Sequence, residues 1–334
     1  MHRSDSEKII LAIEKSIGLS NLKMPVTLHE PYLIDTNALN YTKDCIVSGW
    51  VSSAGKWVNK FENHLCETTG ASYAIAVSNG TVGLRLALHL INITINDEVL
   101  IPPLSFVATA NSISHLGAVP HFVDIDLETL GLCPKALEKR LQEIAIKKEG
   151  KLFNKETNRQ IKAVMPVHVF GNPAKAEEIN SICKQWNLQM IEDAAEALGS
   201  WIISNGKHIH CGLFGECGVI SFNGNKVITT GGGGVLITNN KSLAKKAKHL
   251  STTAKLKHQW EFDHDSIGWN DRLPNINAAI GVSQIEDLEN RLFLKKKLYK
   301  LYKENFLDFN DVEIVDPPAN SISNNWLVTL RFTD

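Results

Sequence analysis

The sequence lacks a long apolar run and a strong net charge, and each absence excludes a class of partner. No uninterrupted apolar stretch approaches the length that a membrane-spanning helix needs. The 334 residues carry 35 Lys+Arg against 36 Asp+Glu, a net charge of −1, so no strong field favours nucleic acid or an anionic membrane. Two basic runs, Lys241–Lys248 and Lys295–Lys303, are interpreted as solvated helix faces. We therefore expect neither a nucleic-acid nor a membrane partner.

The cysteines and the first residues bear on the compartment. Six cysteines are scattered along the chain without a C-x-x-C pair, which favours reduced and mostly buried thiols. Residues 1–18 carry acidic side chains throughout an amphipathic helical pattern, which is unlike a secretory signal. Together these features predict a cytoplasmic protein.

A metal site is also disfavoured. The candidate ligands are His208, His210, Cys211 and Cys217. The two histidines alternate along an extended stretch, and the C-x5-C spacing is not that of a zinc knuckle. We predict no metal.

From residue 73 onward the chain alternates short apolar runs with helical patterns. The predicted strands are Tyr73–Val77, Glu98–Ile101, Val119–Asp124, Ile161–Val167, Gln189–Ile191 and Gly218–Phe222. Strands that alternate with helices at this spacing form a mainly parallel sheet covered on both faces. The fold class is therefore α/β.

Other segments set the expected domain organisation. The chain is long enough for one large domain and a smaller one. We predict an N-terminal helix and arm over residues 1–35, a large α/β domain over 36–250, and a small C-terminal domain over 251–334. Within these, residues 149–160 read as a surface loop, 275–306 as a helix and 326–332 as a strand.

A candidate catalytic segment is Cys217–Val235, CGVISFNGNKVITTGGGGV. A strand pattern ends in a polar turn that carries Lys226, and four glycines follow. Such a turn can present an amine to a cleft, and the glycines let a bulky group approach the backbone. A lysine is nevertheless most often a solvated surface charge, and a Schiff-base lysine must be neutral before it attacks a carbonyl.

Two further candidates fall at predicted strand ends. Residues 78–81, Ser-Asn-Gly-Thr, lie between a strand and a helix, so their amides suit a phosphate, although a simple helix N-cap is the alternative. Asp193 could hold a heteroaromatic nitrogen protonated, or could serve as a cap or an ion-pair partner. Glu196 could complete a capping box with Asp193 or contact a ligand. Ligands bind at such strand ends in doubly wound sheets.

Two common catalytic motifs are missing. Residues 78–81 are not followed by the Gly-Lys-Ser/Thr of a P-loop. The chain also lacks the G-x-S-x-G elbow of a Ser-His-Asp hydrolase. The absence of both motifs disfavours a P-loop NTPase and a serine hydrolase, and leaves Lys226 as the main catalytic candidate.

Seven segments in order resemble the DegT/DnrJ/StrS family of sugar aminotransferases, over roughly residues 30–332. They are VSNGTVGLRLAL, IPPLSFVATANSI, VPHFVDID, VMPVHVFGNP, IEDAAEALGS, CGLFGECGVISFNGNKVITTGGGG and GWNDRLPNINAAIGVSQI. The resemblance implies the aspartate aminotransferase-like fold (fold type I), with a seven-stranded, mainly parallel sheet and a smaller C-terminal α+β domain. It also implies pyridoxal 5′-phosphate as cofactor.

The resemblance assigns roles to individual residues. Lys226 matches the lysine that holds the cofactor as a Schiff base and then carries the proton between cofactor and substrate carbons. Asp193 matches the acid paired with the pyridine nitrogen, and Phe106 the aromatic that stacks on the ring. Three positions match phosphate contacts: Gly80, Thr81 and Ser221. Asn270 matches a residue that reaches the phosphate of the partner subunit, which implies a homodimer with shared active sites. His168 is expected to be a buried structural residue.

The sequence departs from the family pattern at two places. Glu196 stands where many members carry a glutamine near the ring hydroxyl of the cofactor, and a carboxylate there would share a proton or shift its pKa. The family also continues for some tens of residues beyond the position of Asp334, so we expect the small domain to be incomplete in this sequence.

The resemblance extends to a reaction. The segments around Trp50, Asp193 and Lys226 look most like aminotransferases of bacterial nonulosonic-acid (legionaminic-type) pathways, which serve surface-glycan synthesis. These enzymes move an amino group from L-glutamate to C4 of a UDP-linked 4-keto-6-deoxy sugar by a ping-pong route, with Lys226 as general acid and base. A dehydratase of the same family would carry histidine in place of Lys226, and a non-catalytic regulatory homologue is the third hypothesis.

Overall fold

The computed structural model describes residues 3–18, 26 and 29–333, with the backbone alone for residues 3–5. The helices are α1 (Arg3–Ile17), α2 (Ala38–Ser48), α3 (Lys56–Thr69), α4 (Gly80–Leu90), α5 (Ala108–Ser114), α6 (Pro134–Ile144), α7 (Ala176–Trp186), α8 (Lys241–Ser251), α9 (Asn275–Glu286) and α10 (Leu288–Asn305), with a 3₁₀ turn at Val169–Gly171. The strands are β1 (Tyr73–Val77), β2 (Glu98–Ile101), β3 (Val119–Phe122), β4 (Ala145–Lys148), β5 (Lys151–Asn154), β6 (Ile161–Val164), β7 (Gln189–Asp193), β8 (Trp201–Ser204), β9 (Lys207–His210), β10 (Cys217–Ser221), β11 (Gly234–Thr238), β12 (Val312–Ile314), β13 (Ser321–Ile322) and β14 (Leu330–Phe332).

Seven strands form the central sheet in the order β1-β11-β10-β7-β6-β2-β3. The neighbours from β10 to β3 are parallel, and β11 alone runs antiparallel to both of its neighbours. This confirms the predicted α/β fold with a seven-stranded, mainly parallel sheet.

The core lies on both faces of this sheet. Along β11, Val235 and Ile237 join an apolar cluster with α3 and α9, whereas Leu236 joins the cluster that contains α4 and α8. Successive side chains of a strand point to opposite faces, so a strand that is apolar throughout must be covered on both sides. All five residues of β11 are buried accordingly.

Three segments differ from the sequence-based expectation. The predicted loop over residues 149–160 contains β5, which pairs with β4 as an antiparallel hairpin. The predicted helix over residues 275–306 is divided into α9 and α10 at Asp287. The predicted strand over residues 326–332 is reduced to β14, because Trp326 is held by contacts of its own that are described below. The hairpin could not be recognised in the sequence, because its strands are only four residues long and carry several polar side chains.

A separate apolar cluster joins the two ends of the chain. It contains Ile9 and Ala12 of α1, Phe306 after α10, and Val312 and Ile314 of β12. α9 packs instead against α2 and α3, within the main core. The predicted domain limits at residues 35 and 250 stay predictions.

Two smaller expectations concern cysteines and membranes. All six cysteines are free, and four of them are buried, which confirms the predicted reduced, mostly buried thiols. Among the helices of the described residues, none combines the length and the apolar character needed to cross a membrane.

Candidate active site

Three strands of the sheet end at one edge. β1 ends at Val77, β7 at Asp193 and β10 at Ser221. β10 and β7 are parallel, with Val219 opposite Asp193, and β1 points the same way because β1 and β10 are both antiparallel to β11. The residues that follow these strands therefore lie at the carboxyl edge of the sheet, where α/β proteins bind ligands.

The turn after β1 forms the start of α4. Asn79 is the N-cap, and its side chain accepts a hydrogen bond from Val82 N at 3.0 Å, so the capping interpretation of residues 78–81 holds. A Cβ added at Gly80 would lie 3.0 Å from Ser221 Cβ, which shows how closely this turn packs against the end of β10. Thr81 is half-buried beside them. The structure thus brings Gly80, Thr81 and Ser221 together at a helix N-terminus, which suits an anion.

Asp193 is buried at the end of β7, with 4% of its surface exposed. Its Oδ2 accepts a hydrogen bond from Thr109 Oγ1 at 2.6 Å, and its Oδ1 accepts one from Ala195 N at 3.1 Å. Burial raises the pKa of Asp193, against the opposing effects of the Thr109 hydroxyl, the Ala195 amide and the Lys226 charge. A cation placed beside this carboxylate would stabilise its ionised form.

Lys226 is not a solvated surface charge. Its Nζ lies 3.1 Å from Glu196 Oε1, and the two side chains are 12% and 13% exposed. The Nζ atom also lies 4.1 Å from the centre of the Trp326 ring. Its amide donates to Asn223 O at 3.1 Å, which closes the turn after β10. The amine therefore faces the same edge of the sheet as Asp193, between a carboxylate from earlier in the chain and a tryptophan ring from later in it.

Glu196 binds two groups with its two oxygens. Oε1 faces Lys226 Nζ, and Oε2 accepts a hydrogen bond from Phe170 N at 2.7 Å. The Phe170 backbone has φ 58°, an unusual value for an aromatic residue, and this conformation turns its amide to the carboxylate. Burial raises the pKa of Glu196, while Lys226 and the Phe170 amide oppose the rise. The capping-box alternative is wrong, because Asp193 N donates to Pro166 O instead.

Two predicted residues lie at the surface of the chain. Phe106, at the entry to α5, is 69% exposed, and its carbonyl accepts from Thr109 N at 3.1 Å. Asn270 is exposed and accepts two hydrogen bonds from Arg272. Its neighbour Asp271 accepts a hydrogen bond from Ser78 N at 2.7 Å, so this segment runs beside the turn after β1. The roles of Phe106 and Asn270 toward a cofactor stay predictions.

The expectation for His168 is confirmed. The side chain is fully buried, its Nδ1 accepts from Ala174 N at 3.1 Å, and its Nε2 lies 3.0 Å from Glu192 Oε2. Since Nδ1 is an acceptor, Nε2 carries the proton and donates it to the carboxylate. Three amides also donate to Glu192, those of Gly212, Phe214 and Gly215. This network anchors Glu192, the neighbour of Asp193, and the His168 and Glu192 side chains are both fully buried.

The sequence reasoning missed two residues of the site, Thr109 and Trp326. Thr109 lies three residues after Phe106, within the segment IPPLSFVATANSI. A hydroxyl one helical turn beyond the predicted stacking residue was the sequence feature that could have indicated it. Trp326 lies 100 residues beyond Lys226, and nothing local in the sequence connects the two. No group of three or more metal-ligand side chains occurs among the residues that the structure describes. His208 is exposed, whereas His210 is buried and accepts from Gly199 N at 3.0 Å.

The residues present fit pyridoxal 5′-phosphate. The phosphate needs amides and hydroxyls at a helix start, which Gly80, Thr81 and Ser221 supply. The pyridine nitrogen needs an acid, and buried Asp193 has no basic side chain within hydrogen-bonding distance among the described residues. The aldehyde needs an amine, which Lys226 offers.

Several known proteins are similar to this chain in sequence and in fold. The sequence matches the DegT/DnrJ/EryC1/StrS aminotransferase family over residues 33–334. EpsN of Bacillus subtilis (strain 168) is 38% identical over 291 residues, 87% of this chain and 71% of EpsN. The GDP-perosamine synthase of Escherichia coli O157:H7 is 37% identical over 290 residues, 87% of this chain and 73% of that protein. The structure of PseC from Helicobacter pylori, an aminotransferase of pseudoaminic acid biosynthesis, superposes with a TM-score of 0.79 at 27% identity, over 92% of this chain and 78% of PseC.

Proposed function

The chain belongs to the DegT/DnrJ/EryC1/StrS aminotransferase family, and from this membership we propose that it transfers an amino group from L-glutamate to C4 of a UDP-linked 4-keto-6-deoxy sugar. It is a nucleotide-sugar aminotransferase that uses pyridoxal 5′-phosphate. The observation that carries the proposal is the largely buried Lys226 amine, which lies at the same sheet edge as Asp193 and the proposed phosphate seat, Gly80, Thr81 and Ser221.

Pyridoxal 5′-phosphate, when bound, supplies an electron sink that lets an amino group leave one carbon and join another. Gly80, Thr81 and Ser221 would hold its phosphate, and Asp193 would pair with its ring nitrogen. The hydrogen bond from Thr109 fixes the orientation of the Asp193 carboxylate. Phe106 presents an exposed aromatic face that suits stacking on a flat ring.

The chain's own residues handle the protons. Lys226 Nζ can carry a proton between a carbon atom of the cofactor and one of the substrate, because a single flexible side chain can reach both atoms. Glu196 lies 3.1 Å away and has a raised pKa, so it can take a proton from the ammonium group and return it. The Phe170 amide holds the other carboxylate oxygen and keeps Oε1 on the amine. Pairing of an acid with an amine in this way suits a reaction that needs both protonation states of Lys226.

The nucleotide of the substrate has two candidate assignments. The segments around Trp50, Asp193 and Lys226 favour a UDP-linked sugar of the legionaminic type. A GDP-linked sugar is the second candidate, because a relative at 37% identity is named GDP-perosamine synthase. Both candidates require the same amine chemistry at Lys226.

A homodimer with shared active sites belongs to the proposal. Three large apolar side chains in α2 and just after it are exposed: Leu39 and Val47 are each 78% exposed, and Trp50 is 59% exposed. Exposed apolar side chains concentrated in one segment suit contact with a second copy of the chain. Asn270 is exposed as well, as a residue that serves a partner's phosphate must be.

A substrate panel tests the proposed function. UDP-, GDP- and dTDP-linked 4-keto-6-deoxy sugars are each incubated with the holoenzyme and L-glutamate. The aminated products are identified and quantified by mass spectrometry. The aminated UDP-sugar should form fastest, and the Lys226→Ala variant should form none. Faster turnover of the GDP-sugar would overturn the UDP assignment, and absence of amination with every sugar would overturn the function.

A further inference from the structure

A short segment late in the chain, Ser323–Leu327, packs across the site. Asn324 is 2% exposed, and its Nδ2 donates to Glu196 O at 2.7 Å and to Leu198 O at 2.9 Å. Asn324 N donates to Ser200 Oγ at 3.0 Å. The segment is therefore anchored to the loop that carries Glu196.

Trp326 is the part of this segment that meets the lysine. The side chain is 5% exposed, and its indole N–H donates to Asn225 O at 2.7 Å. The centre of its ring lies 4.1 Å from Lys226 Nζ. One ring thus contacts both the backbone that precedes Lys226 and the end of the Lys226 side chain.

The Trp326 backbone is fixed from two sides. Its amide donates to Asn324 Oδ1 at 2.9 Å, and its carbonyl accepts from Lys295 Nζ at 2.9 Å. Lys295 was expected on a solvated helix face, but burial lowers its pKa to about 8. This partly buried amine holds the backbone of Trp326 in place, in addition to the packing of the ring.

The amine is consequently held between two groups. Glu196 Oε1 lies 3.1 Å from Nζ, and the Trp326 ring faces it at 4.1 Å. A lysine stem has four carbons and many rotamers, so a free lysine would spread its amine over a wide volume. The indole face attracts the resting ammonium form, and more strongly where water is excluded, while Glu196 at 3.1 Å can take the proton before the neutral amine attacks.

We infer that Trp326 is the positioning residue for Lys226, and that its ring confines the amine to the place from which it reacts. The inference rests on the proposed function, in which the Lys226 amine condenses with the cofactor aldehyde. In that step the nitrogen forms a double bond to the aldehyde carbon, and the aldehyde oxygen leaves as water with both amine hydrogens. Confinement of the reacting atom accelerates such a step.

Covalent capture of the cofactor tests this without any turnover. Wild-type protein and the variants Trp326→Phe and Trp326→Leu are freed of cofactor and mixed with pyridoxal 5′-phosphate. The rise in visible absorbance gives the rate of capture, and borohydride reduction followed by peptide mapping gives the share of label on Lys226. Leucine removes the aromatic face and the N–H group, whereas phenylalanine retains a face.

Trp57 supplies a matched control. It is 6% exposed, donates its indole N–H to Asp44 Oδ2 at 2.8 Å, and has Lys56 and Lys60 each 5.3 Å from its ring. Trp57→Leu and Trp57→Phe therefore remove the same kinds of contact from a ring whose charged neighbours are Asp44, Lys56 and Lys60 and not Lys226. Far-UV circular dichroism and thermal unfolding verify that each variant is folded.

Capture should slow about tenfold in Trp326→Leu and about threefold in Trp326→Phe, with wild-type rates in both Trp57 variants. The share of label on Lys226 should fall in the same order. Capture by Trp326→Leu at the wild-type rate would overturn the inference, as would equal slowing in Trp57→Leu. Failure of the wild-type protein to label Lys226 at all would overturn the proposed function and the inference with it, so the two failures are distinguishable.

Discussion

Glu196 Oε1 lies 3.1 Å from Lys226 Nζ, and both side chains are almost nine-tenths buried. This chain therefore places a carboxylate, and not a neutral amide, directly against the amine. Because burial raises the pKa of Glu196, the pair can exchange a proton at a smaller cost than an ordinary lysine–glutamate pair.

Removal of this charge should change the pH dependence of the reaction. In Glu196→Gln we expect the rate of amino transfer to fall about 10-fold to 100-fold, because the amine loses its proton acceptor. In the wild type, the activity that depends on ionised Glu196 is present above its raised pKa and is lost as pH falls through it. That acidic limb should disappear from the pH–rate profile of the variant.

A matched carboxylate serves as the control for Glu196. Glu62 Oε1 accepts from Ala76 N at 2.8 Å and from Lys248 Nζ at 2.6 Å, which reproduces the amide and lysine contacts of Glu196 away from the site. Glu62→Gln should retain the wild-type profile. An acidic limb that survives in Glu196→Gln would show that another group titrates.

Replacement of Asp193 should separate activity from stability. Asp193→Asn should lower turnover at least about 100-fold, because the ring nitrogen loses its charged partner. The unfolded pKa is near 3.8 and the folded pKa is raised, so folding takes up a proton and the contribution of Asp193 to stability falls as pH rises through the raised value. Asparagine does not titrate. The unfolding free energy of the cofactor-free variant should therefore rise relative to that of the wild type as pH increases from the unfolded pKa of 3.8 through the raised folded pKa.

Asp126 provides a control of opposite sign for this experiment. Burial opposes ionisation, but Lys175 and the amides of Thr129 and Glu128 hold the pKa of Asp126 below its usual value. Asp126→Asn should accordingly lose stability relative to wild type as pH rises toward the unfolded pKa of 3.8, and the deficit should stay constant above that pH. Urea denaturation across the pH range gives both differences, and parallel curves for the two variants would contradict the assignment for Asp193.

The hydroxyl of Thr109 should matter more than its shape. In Thr109→Val the buried Asp193 carboxylate loses a donor at 2.6 Å with almost no change in volume. We expect a loss of about 1–3 kcal/mol in unfolding free energy together with lower turnover. Thr109→Ser retains the hydroxyl and should recover most of both. Equal losses in the serine and valine variants would mean that the methyl group, and not the hydrogen bond, is responsible.

Close packing at the phosphate seat gives a steric prediction. A Cβ at Gly80 would lie 3.0 Å from Ser221 Cβ and 3.3 Å from Ser221 Oγ, so Gly80→Ala should displace Ser221. We expect the affinity for pyridoxal 5′-phosphate to fall about tenfold, with about 1–2 kcal/mol lost in stability. Equilibrium titration of the cofactor-free protein measures the affinity. Gly232→Ala is the control, since a Cβ there meets nothing within 4 Å. Unchanged affinity in Gly80→Ala would contradict the proposed seat.

The sequence by itself determined the sheet and the edge at which the site lies. The strands at Tyr73–Val77 and Glu98–Ile101 are covered on both faces, and this burial is visible in the sequence as runs of apolar residues such as Val99, Leu100 and Ile101. Lys226, Asp193 and residues 78–81 each follow such a run, so the parallel arrangement was enough to bring them to one edge. Their roles toward the cofactor, the domain limits and the dimer stay predictions.

Only the tertiary structure decided what surrounds the amine. Phe170, Thr109 and Trp326 come from three distant parts of the chain, and their contacts with Glu196, Asp193 and Lys226 depend on backbone conformation and docking. Local periodicity records which face of an element is buried, but it holds no information about which distant residue covers that face. The carboxylate that holds Lys226 could therefore be suspected from the sequence, whereas the tryptophan ring opposite it could not.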